Sequence, residues 1–357
     1  MHRYEGLDAL RGVAAAAIVV VHYDLYRGVP SFSGGVLAVD IFFALSGFVI
    51  ADAYEQRLRN GMSPVQFVSL RFLRFYPVYL VGFLISLAAM ILRDAVGKGS
   101  PETFDALTVA LGFLMFPSAH LIQTPDAHLF PMNIVVWSLF FELVVNGIFG
   151  FVLYRLKSII LTLISTVLLI FVVVYSLLYN GIDAGFDWET FVFGFVRALF
   201  SFVVGMTIFR LRDAFPVNPI AMALSPAALV AALVTRSYLD DVAFFDVFYV
   251  SILVPILLMI NANKLAFPIF GSVFRFLAYI SYALYIVHVP LNLFFGGIYS
   301  RFFSSSLLLS LGFASFCFLF TVAFSYLVTR LVDDPVRKWL KARGRSRALG
   351  PLPAEIG

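Results

Sequence analysis

Residues 158–179 read SIILTLISTVLLIFVVVYSLLY, a run of 22 positions without one charged side chain. A helix needs about 20 apolar residues to cross the hydrocarbon core of a bilayer. Lys157 stands immediately before the run and Asn180-Gly181 immediately after it, so polar residues mark both ends. Applied outward from there, the same criterion finds about ten spans. They lie near 6–27, 34–53, 75–95, 134–154, 158–179, 190–209, 217–235, 243–262, 274–298 and 305–329. A shorter apolar stretch, 104–117, ends at Pro117 and reads as a re-entrant or interfacial helix.

The composition says the same. Of 357 residues, 61% are hydrophobic and 13% charged, and the mean hydropathy is +0.96. Soluble domains run at about 45–50% apolar and about 25% charged, so this chain has too few polar residues to cover a water-soluble globule. Disorder, a coiled coil and a disulfide scaffold are excluded as well. The single Cys317 permits no internal disulfide and no cysteine-based metal site, and no metal is expected. The fold class predicted is all-α and polytopic, with residues 1–340 as the membrane domain and 341–357 as a basic cytoplasmic tail. The start reads as a first span and not as a cleaved signal peptide, for want of a small-residue cleavage site.

Charge sets the orientation. With the N-terminus in the cytoplasm, that side holds Arg57, Arg59, Arg71, Arg74, Arg155, Lys157, Arg210, Arg212 and the basic tail. The opposite loops hold Asp183, Asp187, Glu189, Asp240 and Asp241. This is the positive-inside distribution, with both termini inside and 98–133 outside. The tail is read as a topology signal that touches anionic lipid, not as a nucleic-acid site.

Ionisable residues inside spans are functional candidates by default. Arg11 and His22 lie 11 residues apart on the first span, so they share a face about 16 Å apart. Between them runs Ala14-Ala15-Ala16-Ala17, which permits close helix packing or a slot for a slim ligand. Asp40 opens the second span at a depth comparable with His22, and Ser46-Gly47 reads as a packing site and not a nucleophile. Arg71 and Arg74 are three apart in the loop before the third span. Guanidinium forks of this kind match phosphate geometry, and ordinary positive-inside charge is an equal alternative for the pair. Ser138, Glu142 and Asn146 make a polar stripe at intervals of four. Arg197 lies in the sixth span, and Ser281, Tyr285 and His288 share a face of the ninth. His120 and His128 fall in an outer loop and read as solvated. The outer half of the bundle is thus expected to gather His22, Asp40, Glu142, Arg197 and His288 above an inner anion site of Arg71 and Arg74.

Taken in order, these motifs resemble the acyltransferase-3 family of membrane O-acyltransferases. They are Leu7-Asp8-Ala9-Leu10-Arg11-Gly12 with His22, Phe42-Phe43 with Ser46-Gly47-Phe48, Arg71-x-x-Arg74, and Trp137-Ser138-Leu139-x-x-Glu142. Ser281-Tyr282-x-x-Tyr285-x-x-His288 and Asp334-Pro335 complete the set, the last with Asp where the family pattern has Glu. The likeness runs from about residue 4 to residue 340.

It implies transfer of an acyl group, most often acetyl, from cytoplasmic acyl-CoA to a hydroxyl of an extracytoplasmic or lipid-linked saccharide, in a bacterial inner membrane. Exopolysaccharide and lipopolysaccharide O-antigen are typical acceptors, and polysaccharide-assembly proteins are candidate partners. Some members carry an extra esterase-like domain, which is not expected here. In this chemistry His22 is the base, Glu142 or Asp40 orients it, and His288 or Arg197 steadies the oxyanion. Arg11, Arg71 and Arg74 face the donor, and Ser138 and Tyr285 add polar contacts. An acyl-histidine route is the alternative chemistry. The rival from another class is a proton-coupled exporter of a saccharide or lipid, for which intramembrane His and Glu would form a relay. Against it, no paired inverted repeats with broken helices are visible. A structural partner in an assembly complex is a third reading, one in which the histidines would be dispensable.

Overall fold

The computed structural model describes residues 4–23, 32–95, 105–121, 123–124, 127–267, 270–303 and 306–348. Among the described residues the regular elements are all helices, joined by turns and irregular segments. The helices are α1 (Glu5–Tyr23), α2 (Ala38–Ile50, continued by wider turns over Ala51–Glu55 and a last α-helical turn, Gln56–Arg59), α3 (Pro64–Ala95) and α4 (Ala106–Phe113). Then come α5 (Val136–Phe151), α6 (Ser158–Tyr179), α7 (Phe191–Leu211), α8 (Pro219–Arg236) and α9 (Ala243–Asn261). The last three are α10 (Gly271–Phe302), α11 (Leu307–Val328) and α12 (Asp334–Ala348).

Among the described residues, nine helical segments are long and apolar enough to cross a membrane. α5 is a tenth apolar helix, of 16 residues. The protein is therefore an all-α, multi-pass membrane protein. α4 has eight residues, a length of about 12 Å, too short to cross about 30 Å of hydrocarbon. Its start is fixed by Asp105, which accepts from the Thr108 N–H at 2.7 Å. That bond holds the Asp105 carboxyl below the usual carboxylate range.

One sequence-based boundary moves. The third span begins at Pro64, so Arg71 and Arg74 lie within α3 and not in a loop before it. Pro77 does not break α3: it removes one backbone donor, and packing of the long helix outweighs that loss. The expected tail boundary at 341 falls inside α12, and 349–357 lies outside the described residues, as do 24–27 at the end of the first span.

Hydrogen bonds define the two ends of the bundle. At the basic end, Arg210 joins Glu55 to the Leu156 carbonyl, Arg59 reaches the Tyr154 carbonyl, and Arg275 meets Glu5. At the acidic end, Arg236 of α8 pairs with Asp246 of α9, and Gly34 N–H donates to Ser237. There the segment 127–130 also meets 186–188 through backbone bonds. Helices therefore alternate in direction along the chain.

The small residues of α1 allow close packing. A Cβ at Gly12 would lie 2.7 Å from Leu277 Cβ and 3.0 Å from Ala278 N of α10. Ala14 and Ala15 are fully buried, so these two small residues serve close packing. Gly47 of α2 and Gly205 of α7 each face backbone of the other helix so closely that a methyl would overlap it, in keeping with the packing role read for Ser46-Gly47.

Candidate functional site

The close approach of α1 and α10 brings His22 and His288 together. His288 Nε2 lies 3.2 Å from His22 Nδ1, with ring centroids 4.8 Å apart. Each Nδ1 also faces the carbonyl one turn earlier on its own helix, Ile18 O at 2.9 Å and Leu284 O at 3.1 Å. A carbonyl only accepts, so each Nδ1 carries the proton and each neutral ring keeps its lone pair on Nε2. The His22 Nδ1–H is thus shared between Ile18 O and His288 Nε2. Among the described residues no hydrogen bond engages His22 Nε2, and the ring is half-buried, whereas His288 is fully buried. His22 presents a basic nitrogen, held in orientation from its other side.

This assigns His288 differently from the sequence reading. Its Nδ1–H is spent on Leu284 and its Nε2 is an acceptor towards His22, so the neutral ring has no donor left for an oxyanion. It holds instead the orienting position expected of Glu142 or Asp40. The backbone around it is pinned as well. Pro290 has no N–H, which frees the Ile286 carbonyl to accept from Asn133 Nδ2 at 3.0 Å. Tyr23 O–H donates to the His288 carbonyl at 3.2 Å, and Asn292 Nδ2 to the His22 carbonyl at 3.2 Å.

Polar groups continue from here towards the basic end. Tyr285, one turn before His288, has its hydroxyl 2.6 Å from Ser138 Oγ, and both lie near the Val135 carbonyl. One turn beyond Ser138 on the same face, Glu142 accepts from Ser46 Oγ at 2.7 Å and from Arg71 Nη2 at 3.3 Å. Arg71 lies over the Phe75 ring and Arg74 over the Tyr282 ring. Arg74 also pairs with Asp333, which Arg337 joins at 2.7 Å. Arg71, Arg74 and Glu142 each keep some surface open, with side-chain exposures of 15%, 20% and 18%. A ligand can still reach these side chains. Arg11 pairs with Asp8 at 2.6 Å and donates to the Ala278 carbonyl at 3.3 Å, so it also ties α1 to α10.

Two expected members lie apart from the histidines. Asp40 and Arg197 form a closed pair at 0% and 1% side-chain exposure. Arg197 Nε lies 3.0 and 3.2 Å from the two Asp40 oxygens, and Nη2 2.7 Å from Oδ2. Its remaining donors go to Ala184 O and Val36 O, and it lies over the Trp137 ring. Every charge is used internally, so the pair holds α2, α7 and the 180s segment together and has nothing to offer His22. Glu142 matched His22 in expected depth, yet its partners are Ser46 and Arg71. His120 is not merely solvated: it bonds Asp105 at 3.0 Å beside the start of α4. Sequence reading missed Asp333, although it directly precedes Asp334-Pro335 at the end of an apolar run. It also missed the buried Arg236–Asp246 pair, which joins α8 to α9. Among the described residues no group of three or more His, Cys, Asp or Glu side chains is placed to hold a metal ion.

Comparison with known proteins agrees with the architecture. The acyltransferase domain model of the acyltransferase-3 family matches residues 4–330. Protein 2 in the picA locus of Rhizobium radiobacter is 37% identical over 158 residues, 42% of this chain and 81% of that protein. The exopolysaccharide production protein ExoZ of Rhizobium meliloti (strain 1021) is 26% identical over 201 residues, 56% of this chain and 58% of ExoZ. No solved structure matches. The match across nearly the whole chain, on a bundle whose polar groups meet in its interior, means that the chain belongs to the acyltransferase-3 family of membrane acyltransferases.

Proposed function

We propose that this protein transfers an acetyl group from cytoplasmic acetyl-CoA to a hydroxyl of an extracytoplasmic saccharide, with His22 as general base. The observation that carries the reading is the pair of histidines in which His22 alone has an unengaged Nε2. A sugar hydroxyl is a weak nucleophile, and a neutral imidazole can take its proton as the oxygen attacks the thioester carbonyl. His288 acts as a positioning residue. As charge develops on His22, the shared Nδ1–H bonds to Ile18 O and His288 Nε2 strengthen. The departing thiolate then takes the proton from His22. Arg71 and Arg74, with Arg11 nearer the start of α1, face the donor phosphates from the basic end. Family membership supports acyl transfer, and the resemblance to ExoZ supports a polysaccharide acceptor, free or lipid-linked. A bacterial inner membrane is the compartment that joins such a donor to such an acceptor.

The test is direct. Purified protein with acetyl-CoA and a saccharide should release free CoA thiol in step with sugar acetylation. Absence of thiol release with every saccharide tried, together with saccharide-driven proton flux in vesicles, would favour the exporter reading.

Two further outcomes are expected. Arg71→Ala should weaken acetyl-CoA binding tenfold or more, because a charge-assisted hydrogen bond is worth about 1.5–3 kcal/mol. Arg71→Lys should recover only part, since an ammonium lacks the fork. Arg71 is the cleaner probe, because removing Arg74 also leaves Asp333 without one of its partners. Titration by calorimetry checks both, and unchanged affinity in Arg71→Ala would reduce this arginine to a partner of Glu142. For orientation, reporter fusions after Lys157 should report cytoplasm and fusions after Asp187 the opposite side. A cytoplasmic signal at the second site would overturn the proposed sidedness.

A further inference from the structure

Asp183 is a carboxylate that the fold places with care and then leaves unused. It lies in the segment between α6 and α7, open to solvent, while its neighbours Ile182 and Ala184 are 0% and 1% exposed. The backbone on each side is clamped by a buried ion pair. Ile182 N–H donates to Asp246 Oδ2 at 3.1 Å, and Asp246 pairs with Arg236. The Ala184 carbonyl accepts from Arg197 Nη1 at 3.2 Å, and Arg197 pairs with Asp40. Glycines bracket the segment, with φ of +131° at Gly181 and +110° at Gly185, angles that side-chain-bearing residues rarely adopt. A Cβ at Gly185 would stand 2.7 Å from Gly194 Cα and 2.8 Å from the Trp137 ring. The segment is thus fixed in position. Among the described residues the Asp183 carboxylate makes no hydrogen bond and no ion pair.

The same contacts link the Asp183 segment to the end of α1 that carries His22. Arg197 donates with Nη1 to Ala184 O and with Nη2 to Val36 O. Gly35, next to Val36, packs against the side chain of Val21, the residue before His22. Asp183 and His22 consequently lie within electrostatic reach of each other. Although open to solvent, Asp183 is surrounded by protein on most sides. That crowding raises its carboxyl pKa, against the pull of Arg197 and Arg236.

We propose that Asp183 binds the acceptor, accepting hydrogen bonds from hydroxyls of an uncharged sugar whose neighbouring hydroxyl then lies at His22 Nε2. The proposal rests on the acyltransferase reading given above and adds the acceptor class to it. A carboxylate only accepts, and sugar hydroxyls are donors that suit it. The same charge repels a uronic acid or a phosphorylated sugar, which is how a fixed charge excludes wrong partners. Among the described residues the Asp183 side chain has no hydrogen-bond or ion-pair partner, so its replacement removes none of the bonds that hold them together.

The experiment uses full-length protein in lipid nanodiscs at saturating acetyl-CoA. The probes are a neutral hexose oligosaccharide and the same oligosaccharide oxidised to uronic acid at C6. In Asp183→Ala and Asp183→Asn, the KM for the neutral probe should rise about tenfold or more. kcat, the KM for acetyl-CoA and the thermal midpoint should stay near those of the parent protein. Preference for the neutral over the anionic probe should fall by a similar factor. An unchanged acceptor KM would overturn the proposal, as would a loss confined to kcat, which would mark Asp183 as acting on the His22 charge alone. A parent protein that prefers the anionic probe would also overturn it. A parent protein that acetylates neither probe and releases no thiol would instead count against the acyltransferase reading, which separates the two failures.

Discussion

Alanine in place of His22 is expected to lower acetyl transfer by about 10²–10⁴-fold, the usual contribution of a general base. The protein should still fold, because the ring's bonds are a shared Nδ1–H to Ile18 O and His288 Nε2 and no buried charge is stranded. His288 gives the contrasting result. His288→Ala removes an acceptor and should cost less than loss of the base. His288→Gln can place an amide oxygen towards His22 Nδ1–H and should recover part of the rate. Both His288 variants should also move the pH profile of kcat, since His288 acts through the ring that titrates. A steady-state assay of thiol release with each variant decides the matter. If His288→Ala is inactive and His22→Ala is not, the roles are exchanged.

The second large effect concerns stability. Arg197→Met leaves Asp40 buried at 0% exposure with Ser201 as its remaining side-chain partner, 3.4 Å away. Removing one member of a buried pair costs about 3–5 kcal/mol, a large share of the stability of an ordinary domain. Arg197→Met should therefore give little folded protein in a detergent melting assay. The double change Asp40→Leu with Arg197→Met removes the stranded charge and should recover part of the loss. Full recovery is not expected, because Ala184 O and Val36 O still lose their donor. Loss of activity in the Arg197 variant should thus follow the folded fraction, whereas the His22 variant should be folded and inactive. A well-folded, inactive Arg197→Met protein would restore the arginine to the chemistry.

The contrast between these residues shows what the sequence could and could not convey. Spans were legible because hydrocarbon imposes a length and a composition on any helix that crosses it. Faces were legible too: Ser138 with Glu142, and Tyr285 with His288, follow from helical periodicity. Depth was partly legible from position within a span, and it correctly matched His22 with His288. Depth is one coordinate, however. Asp40 and Glu142 were matched to His22 by depth alone, and each faces a different neighbour around the bundle. Asp40 faces Arg197 of α7, and Glu142 faces Arg71 of α3. Which helices adjoin is set by contacts such as Gly12 on Leu277 and Gly47 on Phe202, and no periodicity encodes them. Arg71 and Arg74 show the same limit: their spacing was plain, but α3 extends beyond its apolar core because Glu142 and Asp333 meet the arginines.

The central claim is that donor and acceptor enter from opposite ends of one bundle and meet at His22. Proteoliposomes with a known orientation test it most directly. The vesicles present the basic end outwards and enclose a neutral saccharide, and acetyl-CoA labelled in the acetyl group is added outside. The account predicts labelled saccharide inside the vesicles, dependent on His22, and none when acetyl-CoA is enclosed with the basic end outwards. Labelled saccharide formed only when donor and acceptor share one compartment would contradict it.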